Sequence, residues 1–222
     1  MNKETLDYNQ LLKEELVKEG FVIFKPNEIK EAAEIFTTAF DDYPLYTYCK
    51  KKYNHKHWLQ WNTAVIKTMY KHSVVFTNQE RSLCGIFCCN NYGYFDPDKE
   101  FNKNGGWKSI FTLGSKVAKK TLKFENMAAD VRKKHTNFKA IYCFCVALKQ
   151  ESKGTWILLK LNKIIHDFCD QYGIDFYFET HSGKHETMYK RFGYEMVEKF
   201  QLSDDGEYWQ YCFMYKHKTK DK

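Results

Sequence analysis

Residues 141–194 read IYCFCVALKQESKGTWILLKLNKIIHDFCDQYGIDFYFETHSGKHETMYKRFGY. The first seven, IYCFCVA, are an unbroken apolar run of the kind a buried strand needs. A polar loop follows, Lys149-Gln150-Glu151-Ser152-Lys153-Gly154. Then Ile157, Leu158, Leu161, Ile164, Ile165, Phe168 and Tyr172 fall at the spacing that places apolar side chains on one helical face. Gly173 stands where a helix ends on a left-handed residue. Ile174, Phe176 and Phe178 alternate with Asp175, Tyr177 and Glu179, the two-residue period of a strand. The stretch is therefore a β-α-β unit, its two strands in one sheet and its crossover right-handed.

Chemistry is expected at the loop before that helix. A helix N-terminus leaves N–H groups unpaired and carries a partial positive charge, which suits a phosphate. Gly154 lets the backbone approach a ligand closely, and Lys153 adds a cation. An ordinary βα turn carries the same residue types, so both readings stay open on the loop alone.

A chain of 222 residues predicts one domain with a sizeable core. The expected organisation is a helical extension over 1–20, a single domain over 21–216 and a charged, disordered tail over 217–222. No apolar run approaches the ~18 residues of a membrane span, and the first residues, Met1-Asn2-Lys3-Glu4, lack the apolar segment of a signal peptide. Eight cysteines without such a signal point to free thiols in a reducing cytoplasm. Cys143 and Cys145, two apart, are expected on one face of their strand, and Cys88 and Cys89 on opposite faces of another. None has the C-x-x-C spacing of a zinc or redox site, so no metal is expected. The net charge of +7 is compatible with a phosphorylated ligand or an acidic partner.

In chain order, the pattern predicts an N-terminal helix ending near Gly20, a strand over 21–24, and a helix capped by Asn27 that ends before Pro44. Residues 43–61 carry Tyr43, Tyr46, Tyr48, Tyr53, Trp58 and Trp61 among Lys50, Lys51, Lys52, His55 and His57. Interleaved bases and aromatics suit single-stranded nucleic acid, but the cations cluster in one short loop, which disfavours that partner. A helix-loop-helix lining a core or a small-molecule pocket is the other reading. His55 and His57 are too close in sequence for an i, i+4 zinc pair and are read as loop residues. A helix over 58–71, a hairpin over 73–77 and 83–90, an irregular 91–106, and helices over 107–119 and 121–135 lead into the β-α-β unit. After it come two strands, 195–202 and 207–215, around the turn Ser203-Asp204-Asp205-Gly206.

This order of elements, with two motifs, resembles the GNAT superfamily of acetyl-CoA-dependent N-acetyltransferases over most of the chain. The first motif, VALKQESKGTW at 146–156, is similar to the family's pyrophosphate loop, Q/R-x-x-G-x-G/A. Aligned on Gly154, Glu151 stands at the Gln/Arg position and Trp156 at the final Gly/Ala. The second, FET at 178–180 followed by YKRFGY at 189–194, is similar to the family's strand and Y-x-x-x-G-F ending, with His185 in place of the usual Asn. WQYCFM at 209–214 resembles the family's last strand.

The resemblance implies a mixed α/β (α+β) fold: a central, mostly antiparallel twisted sheet with a parallel β-α-β core splayed for CoA, and helices on both faces. Acetyl-CoA would lie between the strands 141–147 and 174–180. The backbone of Val146, Ala147 and Leu148 would bond the pantetheine. Glu151, Ser152, Lys153, Gly154, Thr155 and Trp156 would hold the pyrophosphate, with His185 also on the cofactor side. A small-molecule primary amine would attack the thioester directly, which calls for a base, oxyanion donors and an acid for the thiolate. Tyr189 is the acid by resemblance and Glu179 the candidate base. The early helices and their link form the family's substrate side, here Tyr43, Tyr46 and Tyr48. The expected protein is a cytoplasmic acetyltransferase, monomer or homodimer, with no membrane partner. The altered phosphate loop also motivates a non-catalytic acyl-CoA-binding protein, and the Lys50 region an RNA-binding module.

Overall fold

Strands of period two and helices of period 3.6 bury their apolar faces only by stacking on one another. In the computed structural model, where residues 6–49, 54–89, 97–152 and 156–219 are described, they do so as helices on both sides of one sheet. Helix α1 (Tyr8–Lys18) precedes a short strand β1 (Val22–Ile23) and helices α2 (Ile29–Ala39), α3 (Pro44–Cys49) and α4 (His55–Tyr70). The hairpin β2 (Val74–Thr77) and β3 (Leu83–Cys88) follows, then α5 (Pro97–Lys103), α6 (Gly106–Leu113) and α7 (Ser115–Thr136). The unit β4 (Ile141–Leu148), α8 (Ile157–Tyr172) and β5 (Phe176–Thr180) comes next, and α9 (Glu186–Arg191), β6 (Glu195–Gln201) and β7 (Trp209–Tyr215) close the chain.

The seven strands lie in the order β1-β2-β3-β4-β5-β7-β6. Only β4 and β5 are parallel; the other neighbours are antiparallel. One face packs Phe76, Phe87, Ile141, Phe176, Phe178 and Phe213 against Leu12 and Leu16 of α1 and Leu161, Ile165 and Phe168 of α8. The other packs Ile86, Tyr142, Cys145, Tyr177 and Met214 against Ile35 and Phe36 of α2 and Ile66 and Met69 of α4. Asn9 of α1 is buried, donates to the His72 carbonyl at 3.1 Å and accepts from the Cys89 N–H at 3.0 Å, tying that helix to the hairpin. Among the described residues no helix is long and apolar enough to cross a membrane.

Several local expectations are corrected. His55 and His57 sit in the first turn of α4, because the Asn54 side chain caps it by accepting from the His57 N–H at 3.1 Å. Part of the stretch expected to be irregular is helix α5. The break between α6 and α7 falls at Gly114, whose φ of 88° only glycine adopts readily. Cys88 and Cys89 do face opposite ways, but so do Cys143 and Cys145. The β3–β4 register steps from Ile86↔Cys145 to Phe87↔Cys143, so Phe144 is an inserted residue, a β-bulge that turns the strand over between the two cysteines.

Candidate active site

The bulge lies where the two parallel strands part. β4 and β5 are paired at Ile141↔Phe176, Tyr142↔Tyr177 and Cys143↔Phe178 and no further. Beyond that point β4 follows β3 to Leu148, while Glu179 and Thr180 of β5 follow β7. The edge of β4 from Phe144 to Leu148 that faces β5 thus has no strand partner among the described residues. Val146, Ala147 and Leu148, the expected pantetheine-binding residues, supply that edge. It is open N–H and C=O groups of this sort that an extended ligand pairs with.

A short 3-10 turn, Gln150–Ser152, carries the chain toward α8, pinned by the Lys149 N–H to the Ser82 carbonyl at 2.9 Å. Glu151 is exposed there, and Ser152 is half-buried. Lys153, Gly154 and Thr155 lie outside the described residues. Trp156, just before the first residue of α8, is 80% exposed. The 16-residue α8 begins at Ile157, on the connection that leaves the end of β4. An open strand edge followed by a long helix's N-terminus fits a ligand with an amide-bearing arm and a pyrophosphate.

Tyr189 projects from α9 into the splay side of the sheet, its ring packed on Phe178 at 4.8 Å and Phe213 at 5.0 Å. Burial raises its phenol above the ordinary tyrosine range, with Tyr43 and Cys143 nearby adding to the effect. It is a proton donor at neutral pH. His185, at the start of α9, is exposed and edge-on to Tyr189 at 6.3 Å. Tyr43, in the link between α2 and α3, accepts from the His181 N–H at 2.9 Å, and burial raises its phenol as well. The structure so gathers Tyr43, Tyr189, Cys143, Thr180 and His181 around the point of splay.

Glu179 faces the opposite side of β5 from Thr180, with its charge still felt by Tyr43 and Cys143. Both its carboxylate oxygens accept from Arg132 Nη1, at 3.0 and 3.1 Å, and one also from the Tyr142 hydroxyl at 3.0 Å. Arg132, on α7, is 1% exposed; its Nη2 donates to Glu125 at 3.1 Å and its guanidinium lies 3.9 Å over the Tyr142 ring. Burial pushes the Glu179 carboxyl up to about 7, against the pull of Arg132. Three hydrogen bonds from the fold thus reach its two oxygens.

Tyr46 and Tyr48 are corrected too. Tyr46 is 4% exposed, stacks on Trp58 at 4.0 Å and donates to Asn62 at 3.1 Å. Tyr48 stacks on Tyr208 at 4.9 Å, carries Lys120 3.5 Å from its ring centroid and donates to Asp205 at 3.0 Å. Both rings are committed to packing because α3 lies against α4 on the Tyr46 side and against α7 and the β6–β7 turn on the Tyr48 side. Of the three expected substrate residues only Tyr43 reaches the splay.

Comparison with solved structures decides the architecture. An acetyltransferase from Corynebacterium glutamicum, described as histone acetyltransferase HPA2 and related acetyltransferase, superposes with a TM-score of 0.60 at 13% identity, over 91% of this chain and 98% of that one. The chain has the GNAT fold. An arylalkylamine N-acetyltransferase 7, described as putative, from the yellow fever mosquito Aedes aegypti gives 0.61 at 10% identity over 88% and 86% of the two chains. The C-terminal condensation domain of Ebony in complex with beta-alanyl-dopamine gives 0.60 at 9%, over 88% and 97%. No protein-family model and no curated protein matches the sequence. At these identities the likeness carries the GNAT fold and not the substrate.

Two residues went unread in the sequence. Arg132 had a signal: it lies four residues after Ala128 and eight after Phe124, on the buried stripe of α7, where a cation demands an anion. His181 had none, since it follows a strand as many polar residues do. Its ring is buried between Tyr43, 5.3 Å away, and Tyr208, 5.1 Å away. Its Nε2 meets Gln210 Oε1 at 3.1 Å, and its Nδ1 is buried without a partner. Burial pushes its pKa down to about 4.

Proposed function

We propose that this protein transfers the acetyl group of acetyl-CoA to a primary amine of a small molecule. The observation that carries the reading is the edge of β4, unpaired among the described residues, that opens at Cys143 and Phe178, with Tyr189 packed on Phe178 there. The backbone of Val146, Ala147 and Leu148 would hold the pantetheine. The turn from Glu151 through Trp156 and the N-terminus of α8 would hold the pyrophosphate, with His185 at the rim. Acetyl-CoA supplies the thioester. Tyr189 keeps its proton at neutral pH and gives it to the leaving thiolate. Tyr43, with its hydroxyl fixed on the His181 N–H, borders the acceptor. Glu179 is better read as the anchor of Arg132 than as the base, since its oxygens are already bonded.

A small amine suits the acceptor side. Tyr43, the expected substrate residue at the splay, brings an aromatic ring there, and aromatic rings suit a small amine with an apolar part. Two of the solved structures with this fold are named for an arylalkylamine N-acetyltransferase and for a complex with beta-alanyl-dopamine.

Acetyl-CoA at about 100 times its dissociation constant adds roughly 2.7 kcal/mol to stability, on the order of 5–10 °C in Tm for a chain of this length. Differential scanning fluorimetry with millimolar acetyl-CoA checks this, and an unmoved Tm removes the reading. Thiol release with tryptamine, phenethylamine and a lysine-rich peptide then separates enzyme from binder. Glu151 and Trp156, which depart from the family's loop, favour the second reading, a non-catalytic acyl-CoA-binding protein; a Tm shift with no thiol release would select it.

A further inference from the structure

We infer that His181 is the proton acceptor of the acyl-transfer step, its Nδ1 taking the proton that the attacking amine nitrogen loses once the C–N bond forms. This rests on the acetyl-transfer reading above and assigns the group that reading lacks.

The argument begins with the tautomer. Gln210, 2% exposed on β7, offers its amide oxygen to His181 Nε2 at 3.1 Å. An amide oxygen only accepts, so Nε2 carries the hydrogen and the lone pair is on Nδ1. That lone pair is buried and has no partner, a condition native interiors tolerate where a ligand or a reaction uses the group. The residue directly follows β5, its own N–H is clamped by the Tyr43 hydroxyl at 2.9 Å, and its ring packs against the same tyrosine. Tyr43 is also close enough to Tyr189 to act on its phenol. Tyr43 thus stands between the two, its ring 5.3 Å from the imidazole and its phenol beside Tyr189.

The ring's surroundings set the timing. Tyr43 faces it from the α2–α3 link and Tyr208 from the β6–β7 turn, Gln210 is neutral, and no charged side chain among the described residues shifts its titration. Burial keeps the imidazole uncharged at physiological pH. An imidazole of such low basicity does not strip an ammonium ion. The amine instead sheds its first proton to water and arrives neutral, with one N–H donated to Nδ1 and its lone pair free for the thioester carbon. As the C–N bond forms, the carbonyl π pair moves to oxygen and the nitrogen becomes cationic and acidic. Nδ1 takes that proton. The C–S bond then breaks, the carbonyl re-forms, and the thiolate is protonated by the Tyr189 hydroxyl; His181 gives its proton to water and Tyr189 regains one from water. The balance is amine plus thioester to amide plus thiol.

The test uses the full chain with acetyl-CoA and the amines tryptamine and phenethylamine. His181→Gln is expected to lower kcat/KM roughly 10²-fold, the scale of lost proton transfer, with acetyl-CoA affinity unchanged. Gln210→Glu sets a carboxylate on Nε2–H and should move the acid limb of kcat/KM, expressed per neutral amine, up by about one pH unit or more, a response that packing alone would not produce. It also keeps the idea testable should His181→Gln fail to fold. Nitrogen-15 NMR should show Nδ1 unprotonated from pH 5 to 8, and its resonance should move when tryptamine is added to the CoA-bound protein. Wild-type kcat/KM in His181→Gln, an unmoved acid limb in Gln210→Glu, or an Nδ1 signal indifferent to the amine would each overturn the assignment while leaving acetyl transfer standing. A wild-type chain that binds no acetyl-CoA, or releases no thiol with either amine, brings down the acetyl-transfer reading and His181's role with it.

Discussion

Arg132 carries a full charge into the space between α7 and the sheet, and Glu179 is there to meet it. Taking both ions out of water costs several kcal/mol each, and their attraction offsets that only because the geometry is two-pronged and Tyr142 satisfies a further lone pair. Removing one partner is worse than removing both. Arg132→Leu should cost about 3–5 kcal/mol, and the double variant Arg132→Leu, Glu179→Leu should recover most of it; urea midpoints of the three proteins check this. Tyr189 answers to a different measurement. Its ring packing survives in Tyr189→Phe, so only the proton is lost. That variant should lose roughly 10²-fold in kcat and in kcat/KM together, with acetyl-CoA affinity retained. Steady-state kinetics beside a calorimetric titration would show it, and full turnover would place the acid elsewhere.

At the scale of elements, the site is made by a strand that stops pairing. The bulge at Phe144 adds twist just where β4 must leave β5, and a helix N-terminus follows within the same connection. The hairpin that flanks β4 is built around a close approach. Gly85 of β3 sits opposite Phe76 of β2, whose ring covers it; a Cβ there would lie 2.2 Å from the ring. Phe76 is fully buried between Phe21 and Phe87 and has nowhere to go. Gly85→Ala should therefore destabilise by about 1–3 kcal/mol through overpacking, read as a lower denaturant midpoint. Adding Phe76→Leu should offset part of the loss, and an additive double variant would show that the two do not compete for space.

For the whole molecule the pH dependence of stability follows from two histidines. Burial pushes His181 and His166 from the usual value of 6.5 down to about 4. In that window the unfolded chain binds protons that the folded chain refuses. Their contribution is complete above about pH 6.5 and is lost as pH falls through about 4. Glu179, raised to about 7, runs the other way: what it contributes is present at acid pH and lost as pH rises through neutrality. The clean measurement is thus a difference. His181→Gln should narrow the fall in unfolding free energy between pH 7 and 4 relative to wild type, by an amount on the order of 2–3 kcal/mol, seen as a smaller drop in Tm. Parallel melting curves with unchanged slope against pH would refute it.

The sequence alone determined the elements that are set by neighbours. The apolar spacing of α8, the left-handed stop at Gly173 with φ of 64°, and the alternation of β5 are steric and local, and they sufficed for the β-α-β unit and the parallel pair. The GNAT resemblance rested on the same local stretches. What side chains meet was not legible there. Arg132 and Glu179 are 47 residues apart, and His181 and Gln210 are 29 apart. Their pairing depends on where α7 crosses the sheet and on β7 lying beside β5 and not at the edge. Tyr46 and Tyr48 look like pocket aromatics by composition and become packing residues because α3 happens to face Trp58, Tyr208 and Phe124. One inserted residue, Phe144, reversed the faces of Cys143 and Cys145 and opened the splay. Local pattern specifies which face of each element is apolar; only the tertiary arrangement decides which face each element turns to its neighbour, and the candidate site is built from those meetings.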